Sequence, residues 1–203
     1  MRTKLKGPFI LGFNGPPRSG KDTVAAEVVK QLEDSGCNLP IHTHSLVETL
    51  RDGCAAILGF NGGQKWYEEA KDKPIGLDGM DLTLRQFMID ASEKFLKQAY
   101  GKDFWARLLH QRCDHWWARF PSILVITNIG FPDEVSYFTN DRCEHFLNIR
   151  LDRPGYDFVN DSRGWVAAQS YGGTDLAVTN DSTPAEAAEH ILKAMYRNGW
   201  PVF

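Results

Sequence analysis

The sequence predicts an α/β fold in three layers, a parallel sheet with helices on both faces. Three observations lead there. Short apolar runs at Phe9–Phe13, Ile41–Ser45, Ser122–Thr127 and His145–Leu151 alternate with segments of helical spacing. The first run ends in a glycine-rich turn, GPPRSGKDT, that passes directly into a helix. The run SILVIT is β-branched, as in strands buried mid-sheet. Strands alternating with helices imply parallel pairing, with ligands at the carboxyl ends of the strands.

Each element has its own signal. After the turn, Val24, Val28, Val29 and Leu32 recur at helical spacing, and Gly36 suits a stop. A strand over 41–45 precedes a helix from about Leu46 to Leu58, with Leu50, Ala55 and Leu58 on one face. Residues 60–80, rich in Gly, Lys and Asp, read as an exposed excursion. Thr83 with Gln86 forms a capping-box pattern, opening a helix to about Tyr100. Gly101 breaks it, and Asp103 caps the next helix, FWARLLHQRCDHWWARF. Trp116 and Trp117 fall late on that helix, one expected in the core and the other partly exposed; a base-stacking platform is the alternative.

A short helix is expected from Pro132, a strand at His145–Leu151, a polar glycine-punctuated stretch over 152–174, and a last strand at Ala177–Thr179. Thr183-Pro-Ala-Glu186 is a second capping box with Pro at N1, opening a helix to about Arg197. There is no internal repeat, so residues 1–203 read as one domain with a lid over 152–174.

Composition narrows the function classes. With 203 residues and 42% hydrophobic content, the chain can build one full core but not two. A net charge of -3 and a pI near 6.1 argue against a protein that coats nucleic acid. Cys37, Cys54, Cys113 and Cys143 are scattered with no CxxC pair, which suits structural thiols in a reducing cytoplasm. No apolar run approaches the roughly 20 residues of a membrane span, and MRTKLKG lacks an apolar signal region, so a soluble, cytoplasmic protein is expected. His42 and His44 alternate along the second strand, as a buried or edge pair more than as metal ligands.

The turn GPPRSGKDT matches a phosphate-binding loop in every position but one: Asp22 stands where Ser or Thr is usual, and Thr23 follows one place late. In such a loop backbone N–H groups point at phosphate oxygens and the helix N-terminus adds partial positive charge. Gly15 and Gly20 permit the close approach, Lys21 reaches the β- and γ-phosphates, and Arg18 offsets the extra acid. Asp22 is a hard oxygen ligand able to attend Mg2+, with Thr23 as the other candidate; a plain helix cap at Asp22 is the competing reading. The expected fold is therefore the three-layer P-loop type.

At RSGKDT the sequence resembles bacteriophage deoxynucleoside monophosphate kinases, which carry Asp at the hydroxyl position. Animal phosphomevalonate kinases share a similar loop. The likeness to the phage kinases continues in order through HSLVETLRDGCAAILG, Thr83-Leu84-Arg85 with Asp103-Phe104-Trp105, TNIGFPDE, Arg153-Pro154-Gly155 and VTND. Against that family's pattern, an Asp and an Arg are replaced by Asn128 and Gly130, and residues about Ile89–Glu93 are apolar or smaller.

The resemblance implies an ATP- and Mg2+-dependent kinase whose acceptor is a nucleotide, most simply a deoxynucleoside monophosphate. ATP then lies on Gly15, Arg18, Ser19, Gly20, Lys21, Asp22 and Thr23, with Asn180 at the adenine; Lys21, Asp22 and Arg153 carry the transfer. Arg51, Arg85 and Arg163 are candidates for the acceptor, each with an ordinary surface arginine as its alternative. Asp133 and Glu134 are candidates for magnesium, a catalytic water or a base, or are simply a helix opening. A second reading is a phage kinase acting on a hydroxymethyl base, 5-hydroxymethyluracil, in DNA. A third is a P-loop ATPase or nucleotide-binding regulator without an acceptor. The implied partner is a small nucleotide, DNA only under the second reading, with a homodimer open and no membrane. For a phage-encoded chain the compartment is the host cytoplasm.

Overall fold

The computed structural model describes residues 7–60, 67, 69–76, 78–79, 81–117, 121–159 and 161–201. Much of the excursion over 60–80, the helix end past Trp117 and the side chain of Trp116 lie outside the described residues. The strands are β1 Phe9–Asn14, β2 Ile41–His44, β3 Ile123–Ile129, β4 His145–Asp152 and β5 Thr174–Thr179. The helices are α1 Lys21–Asp34, α2 Glu48–Ile57, α3 Leu84–Asp90, α4 Lys97–Tyr100, α5 Phe104–Trp117, α6 Pro132–Thr139 and α7 Pro184–Arg197. A π turn fills Ala91–Leu96 and a 3-10 turn Ala168–Tyr171. The chain divides into two compact units, residues 1–46 with 106–203, and residues 47–105.

The first unit holds a sheet in the order β2-β3-β1-β4-β5, and every pairing is parallel. β1 is central and buried along its whole length, which is why its sequence is apolar up to Asn14. Phe9, Leu11, Phe13, Val125, Leu147, Ile149 and Leu151 face α1 and α7, meeting Val24, Val28, Leu32, Ala188, Ile191 and Met195. On the other face, Phe146 stacks on Phe138 of α6, which stacks on Trp117. Each fully buried Val, Leu or Ile contributes about 1.5–3 kcal/mol, and Leu32→Ala costs on the order of 2–5 kcal/mol once its cavity is included.

Two strands extend beyond their sequence expectations for polar reasons. β3 continues past Thr127 to Ile129, because the Asn128 carboxamide oxygen accepts from the Leu46 amide (2.8 Å) and the Ser45 hydroxyl (3.2 Å). β5 starts at Thr174, three residues before Ala177, because the Asp175 carboxylate is bound by Asn148 and by the amides of Ala168 and Gln169. Trp117 is buried in the core and donates to the Arg142 carbonyl at 2.7 Å. None of the four cysteines is in a disulfide, and burial pushes Cys54 and Cys113 up to about 11.

The second unit is helical. Thr83 caps α3, accepting from the Gln86 amide at 3.2 Å as its pattern predicts. The expected single helix to Tyr100 is corrected to three pieces, with the π turn between α3 and α4. Buried Ser92 in that turn accepts from the Trp105 indole at 2.9 Å, and Lys97 pairs with Glu93. Leu50, Cys54, Ala55, Leu84, Met88 and Trp105 form its apolar interior.

Candidate phosphate-binding site

The loop from Gly15 to Gly20 joins the end of β1 to the start of α1. Gly20 takes a left-handed φ of 91° and is the residue before the first helical position, so the N-cap is Gly20 and not Asp22. This corrects the plain-cap reading of Asp22, which stands inside the first turn. Arg18 also has a positive φ, 63°, a strained choice for a residue with a side chain and one that recurs at ligand sites. A Cβ on Gly15 would collide with the Leu151 carbonyl, and one on Gly20 would lie 2.5 Å from the Asn180 amide nitrogen. Both positions require glycine.

The carbonyls of the loop are turned away and tied down. Lys21 Nζ donates to the carbonyls of Gly15 (2.8 Å) and Pro16 (2.6 Å). Arg153, just past β4, donates to Arg18 O at 3.2 Å, and Asn180, just past β5, donates to Ser19 O at 2.8 Å. The amides of Gly20, Lys21, Asp22 and Thr23 have no acceptor within α1, whose first bond runs from Val24 N to Gly20 O. Donors without partners and the positive end of the helix dipole therefore coincide. Such an arrangement is suited to an anion.

Lys21 is buried, and its amine is lowered to about 8, first by desolvation and then by the charge of Arg163, with Asp22 and Asp161 opposing. A bound polyphosphate reverses both losses. Asp22 and Thr23 are exposed on the first turn, and no described hydrogen bond engages either side chain. Two free oxygen donors of this kind fit Mg2+.

The structure draws most of the predicted residues in the first unit to these strand ends. Arg153 and Asn180 frame the loop. Arg163 forms a two-bonded pair with Asp161 at 2.8 and 2.7 Å. Burial works against ionisation of Asp161, but the bonds and charge of Arg163, with Lys21 farther off, hold its carboxyl below the usual range. Glu134 is buried and accepts the amides of Gly130 (3.0 Å) and Phe131 (3.1 Å), opening α6, while Asp133 beside it is half-buried. Arg51 and Arg85 belong to the second unit, beside Asp52 (3.0 Å) and Asp72 (2.6 Å) respectively. His42 and His44 are half-buried on edge strand β2, and His42 is lowered by burial, His44 and His115.

Sequence reading missed Asn14 and Asn148, and marked Gly130 only as a departure from the resembled family's arginine. Asn14, fully buried at the end of β1, donates to Ile129 O and Gly164 O and accepts from Val166 N, all at 3.0 Å. Asn148 donates to Val166 O at 2.9 Å. Together they stitch 164–166 onto the sheet. The available signal was a polar residue inside an apolar strand, in FILGFN and FLNIRL.

Comparison with solved structures gives this geometry a context. The APS kinase CysC of Mycobacterium tuberculosis aligns with 94% of this chain and 98% of its own, at 16% identity and a TM-score of 0.51. The same enzyme in complex with AMPPNP and APS aligns over the same shares with a TM-score of 0.50. This is the P-loop kinase fold. The thymidylate kinase of Ehrlichia chaffeensis also aligns, over 93% of this chain and 99% of its own, at 12% identity and a TM-score of 0.45. No protein-family model and no curated protein sequence matches the chain.

Proposed function

We propose that the protein is an ATP-dependent phosphotransferase that moves the γ-phosphate of ATP onto a nucleotide, a deoxynucleoside monophosphate in the simplest case. One observation carries this reading. The four unpaired amides at the start of α1 converge with buried Lys21, while the loop carbonyls are tied back by Lys21, Arg153 and Asn180. Such an array stabilises charge without reorganising during the reaction, and phosphoryl transfer depends chiefly on positioning and charge.

Each residue then has a role. The amides of Gly20 to Thr23 and the Lys21 ammonium hold the β- and γ-phosphates, with Gly15, Arg18 and Ser19 shaping the loop. Asn180 borders the adenine. Asp22 and Thr23 would hold Mg2+, which would supply neutralising charge to the polyphosphate. Arg153 and Arg163 approach from the 152–174 segment, and Arg51 and Arg85 serve the acceptor. An acceptor phosphate oxygen attacks the γ-phosphorus; the new P–O bond forms as the bond to the β-phosphate breaks, and ADP leaves with that electron pair. A phosphate acceptor is already anionic near pH 7 and needs no base. A hydroxyl acceptor does need one. That Glu134 spends a carboxylate oxygen on two backbone amides supports the monophosphate reading.

The test offers labelled ATP with each of the four deoxynucleoside monophosphates, and separately with DNA bearing hydroxymethyl bases. Label in a diphosphate product is expected. Label in the DNA alone would move the assignment to a DNA-modifying kinase, and label released only as inorganic phosphate would make the protein an ATPase.

A further inference from the structure

The side chain of Arg163 rests on Gly130. A Cβ built on Gly130 would lie 2.5 Å from both Cγ and Cδ of Arg163 and 3.0 Å from its Cβ; the two shorter contacts require the Arg163 side chain to shift. The backbone beside it is fixed from two sides: Gly164 N approaches Gly130 O at 3.4 Å, and Asn14 holds Gly164 and Val166. The end of β3 thus offers a bare patch of main chain, and a residue brought from the segment after β4 fills it.

What it brings there is a cation. Arg163 reaches Asp161 through two bonds and keeps 24% of its side chain exposed, so the guanidinium is neither sealed in nor free. Its neighbour Gly164 accepts from Asn14, the last residue of β1, from which the chain runs directly into the phosphate loop. The two parallel bonds of Arg163 to the Asp161 carboxylate show the fork geometry that also suits a phosphate beside the loop.

We propose that Arg163 contacts the phosphate being transferred and that Gly130 is the positioning residue that seats it, so that the missing side chain at 130 is what admits a cation from the 152–174 segment. The proposal rests on the phosphotransferase reading above. It makes Gly130 and Arg163 one unit: enlarging the first displaces the second.

The experiment is a cycle of Gly130→Ala, Arg163→Ala and the double variant, read by calorimetric binding of inorganic tripolyphosphate and by label transfer from ATP. Each single variant is expected to weaken tripolyphosphate about tenfold or more, as for the loss of a hydrogen bond to a charged group. The double variant should bind no worse than Arg163→Ala alone, and Arg163→Lys should keep part of the affinity. If the two losses multiply, the seating is overturned. If Arg163→Ala binds tripolyphosphate as the wild type does, the phosphate contact is overturned. Should Gly130→Ala be too unstable to titrate, melting midpoints decide: the double variant must melt above Gly130→Ala, and equal midpoints overturn the seating. Failure of the underlying reading looks different, because the binding cycle would stand while the wild type moved no label.

Discussion

In the phosphate loop, Lys21 donates to the backbone carbonyls of Gly15 and Pro16; in the unit over 47–105, Arg85 lies 2.6 Å from Asp72 and Arg51 3.0 Å from Asp52. Lys97 and Lys94 repeat the second pattern with Glu93 and Asp90. The loop holds its cation by main chain, without a carboxylate neutralising it through a bond, and so keeps the charge for a ligand. The helical unit matches these cations with carboxylates that a ligand must displace. Partly exposed pairs of that kind are worth about 0–1 kcal/mol each, so the exchange is cheap. On the function proposed above, the donor phosphates would meet a prepared site, and an acceptor held by Arg51 and Arg85 would have to displace Asp52 and Asp72.

The sharpest way to break this contrast is Lys21→Ala. It should leave the protein folded and lower turnover by two to three orders of magnitude, about 3–4 kcal/mol for one strong preorganised contact. Steady-state kinetics beside a melting curve would check it, and near-normal turnover would make the loop irrelevant to function.

A smaller effect separates the two metal candidates. Asp22→Ala should raise the Mg2+ concentration needed for half-maximal turnover by about tenfold, Asp22→Ser should stay partly active, and Thr23→Ala should do less harm. Because Gly20 holds the N-cap, Asp22→Ala should cost no more than the roughly 0.3–1 kcal/mol of a charge near a helix start. Magnesium titrations and melting curves read both halves. If Thr23→Ala is the more damaging change, the metal belongs to the hydroxyl.

On the acceptor side, Arg51→Ala and Arg85→Ala should each raise the KM for the acceptor by about tenfold or less, leaving the KM for ATP unchanged and stability within about 1 kcal/mol. A shift in the KM for ATP would erase the division of labour.

The smallest expected signal is a proton. Lys21 is lowered to about 8 when the site has no anion, so above pH 8 a growing share is neutral, and a bound polyphosphate restores its charge. ATP binding at about pH 9 should take up a fraction of a proton, and at pH 7 almost none from this group. Calorimetry in buffers of different ionisation enthalpy measures the uptake. The same shift has a sign for stability: the unfolded chain binds more protons between about 8 and the ordinary lysine value, so Lys21's penalty on folding fades as pH rises through that window.

What the sequence made legible depended on distance along the chain. The loop was readable because Gly15, Gly20, Lys21 and Asp22 are neighbours, and a strand before and a helix after complete the context. Caps at Thr83 and Thr183 were readable for the same reason. Asn14, Asn148 and Gly130 were not, since their meaning comes from residues far along the chain that only the parallel sheet brings beside them. The π turn at Ala91–Leu96 also left no local mark, because its apolar spacing resembles that of an ordinary helix.

On the function proposed above, the loop binds ATP so that its γ-phosphate passes to an acceptor. The most direct test is the rate of ADP formation with and without deoxynucleoside monophosphate, in the wild type and in Lys21→Ala. ADP should accumulate rapidly only when the acceptor is present, and Lys21→Ala should abolish that stimulation. ADP formed equally fast without an acceptor, or undiminished in Lys21→Ala, would contradict the account.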